Sequence, residues 1–262
     1  MDLKNSTILV TGGTSGIGLE LVRQLTEIGA QVIVTGRNST ALNETKRRFP
    51  SVHTFQSDIS KPDNIRQLYN DVTAMFPELN ILINNAGEMR LIDMQETSMQ
   101  LEDLTREIDI NLSGTIRTTH QFLPHLIKKQ SAAIVNVSSA IAFMAYSTAP
   151  VYSASKAGVH AFTMALRLQL KDTGVKVLEL IPPGVKTNLQ NNWVLQPNPG
   201  QMMDVDKLVK IAIRGIQNDN SEIKPTLVRL IKFVSRIMPG TLMNYGHREF
   251  EKFRQLTRNP ES

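Results

Sequence analysis

Two side chains in this 262-residue chain have the types and spacing for proton transfer. Tyr152 and Lys156 stand four apart in Tyr152-Ser153-Ala154-Ser155-Lys156. On a helix that spacing puts both on one face. A free phenol has a pKa near 10 and is a poor base at neutral pH, but a neighbouring ammonium favours the phenolate. A drop of about three units needs about 4 kcal/mol of differential stabilisation. A phenol tuned in this way can move a proton to or from an alcohol or carbonyl oxygen.

A second cluster has the chemistry of phosphate binding. Thr11-Gly12-Gly13-Thr14-Ser15-Gly16-Ile17-Gly18 follows a β-branched run and opens an amphipathic stretch. Glycines there permit a tight turn and close backbone approach, and a helix N-terminus offers free N–H groups to a pyrophosphate. The spacing is TGxxxGxG, not GxGxxG. An acid that would hold a ribose 2′-OH is expected roughly 20 residues past such glycines. At that point the chain has Gly36 followed by Arg37. No carboxylate repels a 2′-phosphate and a guanidinium can grip one, which predicts NADP(H) over NAD(H).

Other chemistries are excluded by composition. The chain has no cysteine, so disulfides, thiolate metal sites and thiol catalysis are ruled out. Five scattered histidines form no HExxH pair, and no metal site is expected. No GxSxG elbow supports a serine hydrolase. There is no signal-peptide pattern and no apolar run of membrane-spanning length, so a cytoplasmic location is expected.

The elements that must position these residues alternate. Thr7–Val10, Gln31–Thr35, Val52–Gln56, Ile81–Asn84, Ala133–Val137 and Lys176–Ile181 read as strands, with a further short strand at Ser221–Lys224. Gly18–Ile28, Thr40–Phe49, Asn64–Phe76, Glu102–Lys128 and Ser153–Lys171 read as helices. Such alternation predicts an α/β fold of βαβ units around a parallel sheet, with helices on both faces. Gly29 and Gly174 are placed for C-terminal caps, and Ser39 or Thr40 for an N-cap. Pro182 to Gly200, rich in Pro, Asn and Gln, reads as a long loop.

In this order the residues resemble the short-chain dehydrogenase/reductase family over about residues 5–190. The match runs through Thr11-Gly12-x-x-x-Gly16-Ile17-Gly18, Asp58, Asn84-Asn85-Ala86-Gly87 and Asn111. It continues through Ser139, thirteen residues before Tyr152, then Tyr152-Ser153-Ala154-Ser155-Lys156, Pro183-Gly184 and Thr187. The resemblance implies a Rossmann-type doubly wound sheet of six to seven strands. It implies that Tyr152 is the proton donor or acceptor, that Lys156 lowers its pKa and binds the nicotinamide ribose, and that Ser139, rather than Ser138, holds the substrate oxygen. Asn111 would hold a proton-relay water. Gly12, Thr14, Ser15, Gly16, Ile17 and Gly18 would cradle the pyrophosphate, and Asp58 and Ile59 would contact adenine. Asn85, Ala86 and Gly87 would line the cleft, and Pro183, Gly184, Val185 and Thr187 would meet the nicotinamide. The implied reaction is NADP(H)-dependent reduction of a carbonyl, or its reverse, with a non-catalytic NADP(H)-binding sensor as the alternative. Homodimers or homotetramers through Glu102–Lys128 and Ser153–Lys171 are implied as well.

The chain reads as a single domain over 1–262, with 183–220 as the substrate region and 224–262 as a basic extension. Mostly apolar stretches at Glu88–Leu91, Ala140–Tyr146 and around Trp193 predict a small uncharged or lipophilic carbonyl or alcohol as substrate. The formal net charge is +5, yet residues 224–258 hold eight basic and two acidic side chains, so the rest sums to −1. Leu227, Leu230, Ile231, Phe233, Val234, Ile237 and Met238 share a helical face opposite Arg229, Lys232 and Arg236, and Pro239-Gly240 ends the pattern. Such a helix packs on the domain or a second subunit, forms a lid over a lipophilic substrate, or makes weak peripheral membrane contact through 226–238. No nucleic-acid binding is expected, because the tail lacks the interleaved aromatics of a single-strand platform. The overall pattern, including this basic tail, loosely resembles a DltE-like bacterial branch of the family.

Overall fold

A computed structural model describes residues 1–191 and 193–258. Residues 259–262 of the basic extension, and the side chains of Tyr245 and Arg258, lie outside the described set. Seven strands form one parallel sheet in the order β3-β2-β1-β4-β5-β6-β7. They are β1 (Thr7–Thr11), β2 (Gln31–Gly36), β3 (His53–Gln56), β4 (Leu79–Asn84), β5 (Ala132–Val137), β6 (Val175–Leu180) and β7 (Glu222–Ile223). The helices are α1 (Gly16–Ile28), α2 (Ser39–Arg48), α3 (Pro62–Met75), α4 (Leu101–Leu104), α5 (Gly114–Leu126), α6 (Pro150–Gln169), α7 (Val205–Gln217), α8 (Thr226–Ile237) and α9 (Pro239–Arg258).

The central strands β1, β2, β4, β5 and β6 are largely buried on both faces, which is why they read as apolar runs. Ile8 and Val10 of β1 point into one core with Leu21 and Val22 of α1 and Leu208 and Val209 of α7. Leu9 points into the other, with Val72 of α3, Phe122 of α5 and Leu166 of α6. A buried polar chain ties the second layer to the sheet. Asn84 donates to Asn136 (2.8 Å) and to Thr119 of α5 (2.9 Å), and Asn136 donates to Thr163 of α6 (3.0 Å). That chain fixes α5 and α6 against the strands whose C-terminal ends carry the candidate chemistry.

Several expectations need correction. The helix expected over Glu102–Lys128 is broken into α4, a wide π-type turn at Ile108–Ser113, and α5. An extra residue in a turn leaves the apolar periodicity nearly intact, so the pattern could not reveal it. Asn38, not Ser39 or Thr40, caps α2, its side chain accepting from the Ala41 N–H at 3.1 Å. Gly29 caps α1 in the left-handed region, as expected, with φ 92°. Gly174 caps nothing: α6 ends at Gln169, and the Gly174 carbonyl accepts from the Ala132 N–H at the start of β5. Pro239-Gly240 ends α8 but also begins α9, because a proline is tolerated in a helix's first turn, where its N–H is not needed.

Candidate active site

The chain runs from β1 outward through β2 to β3, then crosses back to place β4 on the other side of β1. The crevice at such a reversal, beyond the C-terminal strand ends, is where α/β sheets hold ligands. The glycine turn between β1 and α1 forms its floor. A Cβ on Gly12, whose φ is 64°, would lie 2.7 Å from Ala86 Cα, and one on Gly18 would lie 2.2 Å from the Gly12 carbonyl oxygen. No larger residue fits either position. The Asn85 amide donates to the carbonyls of Thr11 and Gly12, both at 3.0 Å, and the Thr11 hydroxyl accepts from the Asn85 and Ala86 N–H groups. Ser15 precedes α1 without capping it, so the Ser15 hydroxyl and the first-turn N–H groups are left for an anion. Thr14 packs beside Gly36, and Thr187 faces Gly16 across the crevice. The side chains of this floor therefore fit a dinucleotide's phosphates.

Tyr152 and Lys156 lie near the start of α6 and are both buried. Ser139 follows β5; its hydroxyl accepts from the Ile141 N–H at 3.3 Å and stands close enough to the Tyr152 phenol to hold its pKa down. Ser138 is directed elsewhere, donating to the buried Glu179 carboxylate at 2.5 Å, which His160 also contacts at 2.9 Å. Lys156 Nζ donates to the Val137 carbonyl at 2.9 Å and lies 5.6 Å from the centre of the Tyr152 ring. The expected lowering of the Tyr152 pKa is reversed here. Burial pushes the phenol up to about 12, the Ser139 hydroxyl offsets part of this, and Glu107 adds to it. Burial also brings Lys156 down to about 8. In this state the phenol holds its proton and is a donor.

Asn111 sits in the π-type turn, and its amide is fully engaged. Its Oδ1 accepts from the Glu88 N–H at 2.8 Å, and its Nδ2 donates to the Glu88 carbonyl (2.9 Å) and to Ser155 Oγ (3.0 Å). The side chain thus clamps the segment after β4 to α6, and the Asn111 carbonyl accepts from Thr115 at 2.7 Å. Gly87 is pressed between Asn111 and Lys156.

At the far end of the crevice Arg37 is exposed and pairs with Glu88 at 3.2 Å. Arg106 also pairs with Glu88. Asp58 accepts from the Ser60 N–H (2.9 Å) and hydroxyl (2.8 Å), forming its own turn. The Ile59 side chain is buried against Gly114 of α5, so its role in the fold is packing. Pro183, Gly184 and Val185 follow β6, and Val185 bridges to Met203. Thr187 caps the short turn at Asn188–Gln190.

Above Tyr152 the expected apolar segments converge. Met89, Leu91, Ile141, Tyr146, Ala149 and Trp193 pack with it, and the Trp193 indole donates to the Met89 carbonyl at 3.3 Å. Sequence reasoning missed two carboxylates. Glu88 gathers Arg37 and Arg106, and the fully buried Glu107 accepts from the Arg90 N–H at 2.9 Å and lies near its guanidinium. Burial raises the Glu107 pKa. Neither belongs to a spaced motif; only the turn at Ile108–Ser113 and the irregular segment after β4 bring them into place.

With this geometry in view, a family model described as short chain dehydrogenase matches residues 6–198. The uncharacterized oxidoreductase DltE of Bacillus subtilis is 37% identical over 237 residues, covering 90% of this chain and 94% of that protein. An uncharacterized oxidoreductase of Staphylococcus saprophyticus is 32% identical, covering 83% and 93%. Among solved structures, a short-chain dehydrogenase from Sphingobium yanoikuyae in complex with NADPH is 25% identical. It aligns with a TM-score of 0.77, over 85% of this chain and 88% of that one. A short-chain dehydrogenase/reductase from Burkholderia phymatum in complex with NAD aligns at 0.79 with 18% identity, over 88% and 93%, a likeness of fold.

Proposed function

Because this chain belongs to the short-chain dehydrogenase/reductase family of oxidoreductases, we propose that it reduces a small uncharged or lipophilic carbonyl to an alcohol with NADPH, or runs the reverse reaction with NADP⁺. The observation that carries this reading is the buried Tyr152 phenol, beside Ser139 and packed among apolar side chains. NADP(H) rather than NAD(H) is favoured by Arg37 after β2, with Gly36 where an acid would repel a 2′-phosphate. When bound, NADPH supplies the hydride.

The chain's own residues handle the oxygen. Ser139 and Tyr152 donate hydrogen bonds to the carbonyl oxygen as negative charge builds on it. Preorganised donors of this kind are worth about 3–4 kcal/mol each in the transition state. Tyr152 then gives up its proton as general acid, which its retained proton suits. The Lys156 ammonium stands ready to stabilise the resulting phenolate. Met89, Leu91, Ile141 and Trp193 pack around Tyr152 and would exclude water and favour an uncharged substrate.

The same reading includes a homodimer or homotetramer. The exposed apolar side chains Ile116 on α5 and Ile127 just after it, and Met164 and Leu168 on α6, support it. A cytoplasmic setting belongs to the proposal too; no described helix is long and apolar enough to cross a membrane.

The test is NADPH oxidation by the purified protein across a panel of ketones and aldehydes, with Tyr152→Phe alongside. The variant is expected to lose roughly 10²–10⁴-fold in kcat while still binding NADPH. Full activity in the variant overturns the assignment of Tyr152. NADPH binding without turnover of any carbonyl points to the sensor.

A further inference from the structure

We propose that the outer face of α8, continued by the start of α9, docks this protein on an anionic lipid surface. The inference rests on how α8 is turned and does not depend on the reaction proposed above. The domain takes only a narrow side of the helix. Val228 is buried with Ala140 and Ile181, and Lys232 reaches Glu222 at 2.6 Å and lies over the Phe143 ring at 5.1 Å. The more apolar flank faces outward. Leu227, Leu230, Phe233 and Ile237 are each 51–62% exposed, and Met238 and Met243 extend the row at 54% and 55%. Scattered exposed apolar side chains are ordinary on a protein surface; a continuous row along one helix marks a contact.

Charge decides the occupant. Between Ile223 and Arg248 the chain has five Lys and Arg residues and no Asp or Glu. Lys224 and Lys232 are held by Glu222. Arg229, Arg236 and Arg248 are exposed and form no ion pair among the described residues. A second copy stacked two-fold on this face would bring the α8 arginines of both copies into one interface, with no acid on α8 to relieve the repulsion. An anionic bilayer satisfies both features: the apolar row enters the acyl boundary and the arginines meet the headgroups. The position has a use. Met243 is part of the exposed row and also lines a cavity of about 730 Å³ beneath the start of α9. Ile141 and Tyr146 line that cavity and also pack around Tyr152. A molecule held in the bilayer would therefore meet an apolar cavity two of whose wall residues also pack on Tyr152.

Flotation of the full chain with phosphatidylcholine vesicles, with and without phosphatidylglycerol, tests the proposal. Co-flotation is expected only with the anionic vesicles at low salt, and is expected to fall away at 0.5 M salt. Arg229→Gln and Arg236→Gln should each weaken it about fivefold. Phe233→Ser should weaken it about tenfold. Circular dichroism of each variant should match the parent, since all three side chains are exposed. No flotation at low salt, or equal flotation with neutral vesicles, overturns the proposal. So does a concentration-dependent dimer, seen by analytical ultracentrifugation, that Phe233→Ser abolishes while flotation is unaffected; that outcome assigns the face to a second copy.

Discussion

The glycine turn after β1 and the α8–α9 segment use opposite means of recognition. In the first, backbone meets backbone with no room to spare: Gly12 against Ala86, Gly18 against the Gly12 carbonyl, and Asn85 bonded to both sides. In the second, side chains lie on the surface and only Val228 of α8 is fully buried. A ligand gripped through phosphates needs fixed N–H groups, and these demand an exact backbone path. An apolar partner needs area and little geometry. The contrast predicts that one region is intolerant of a single added carbon and the other indifferent to losing a ring.

The largest effect should come from Gly18→Ala. Its methyl cannot fit against the Gly12 oxygen, so a loss of about 3–4 kcal/mol in stability, with nucleotide binding abolished, is expected in urea titrations. A variant of parental stability would break the comparison. Arg37→Ser should sharpen it from within the nucleotide half. By calorimetry NADPH affinity should fall roughly 10–100-fold while NADH affinity is unchanged, since only the former carries the 2′-phosphate. An equal loss for both would mean that Arg37 acts only through Glu88.

Lys156 gives a smaller and pH-dependent effect. Its folded pKa of about 8 lies below its ordinary value of 10.5. Between those pH values the unfolded chain binds more proton, so stability contributed by this group rises with pH. Below pH 8 the buried charge costs about 3 kcal/mol. Lys156→Met also loses the bond to Val137, leaving an expected gain of about 1–2 kcal/mol at pH 7 that shrinks toward pH 10. The same titration with Tyr152 present runs the other way above pH 10, because the folded phenol keeps its proton to about 12. Melting curves of the nucleotide-free protein at the two pH values decide it. Smallest of all, Phe233→Ser should change stability by less than about 0.5 kcal/mol. A larger loss would show that α8 is more deeply bound to the domain than its exposure indicates.

The nucleotide half was the more legible in sequence for the same reason that it is intolerant. Central strands buried on both faces leave continuous apolar runs, and all seven strands lie within two residues of their expected bounds. Gly12, Gly16 and Gly18 are read from type alone, because only glycine allows those approaches. Tyr152, Ser139 and Lys156 are readable because their chemistry restricts the residue. The roles of Glu88 and Glu107 were not, since their cationic partners Arg37, Arg106 and Arg90 arrive through loops with no periodic signal. Helix α7 carried its apolar repeat in Leu208, Val209, Ala212, Ile213 and Ile216, but only the broad 183–220 region was assigned there. Helix α9 was hidden by a proline that ends one helix and starts the next.

Helix α9 reaches both walls of the substrate side. Arg254 contacts Asp93 at 3.4 Å and Gln95 at 2.9 Å, while Gly246 lies against Ala145 and Tyr146. All seven strands precede it in the chain. During synthesis at about 5–20 residues per second the sheet and its phosphate cradle are therefore complete a few seconds before the element that braces the substrate walls has emerged. A ribosome-bound chain would pass through a stage able to hold a nucleotide while its substrate pocket is still unbraced.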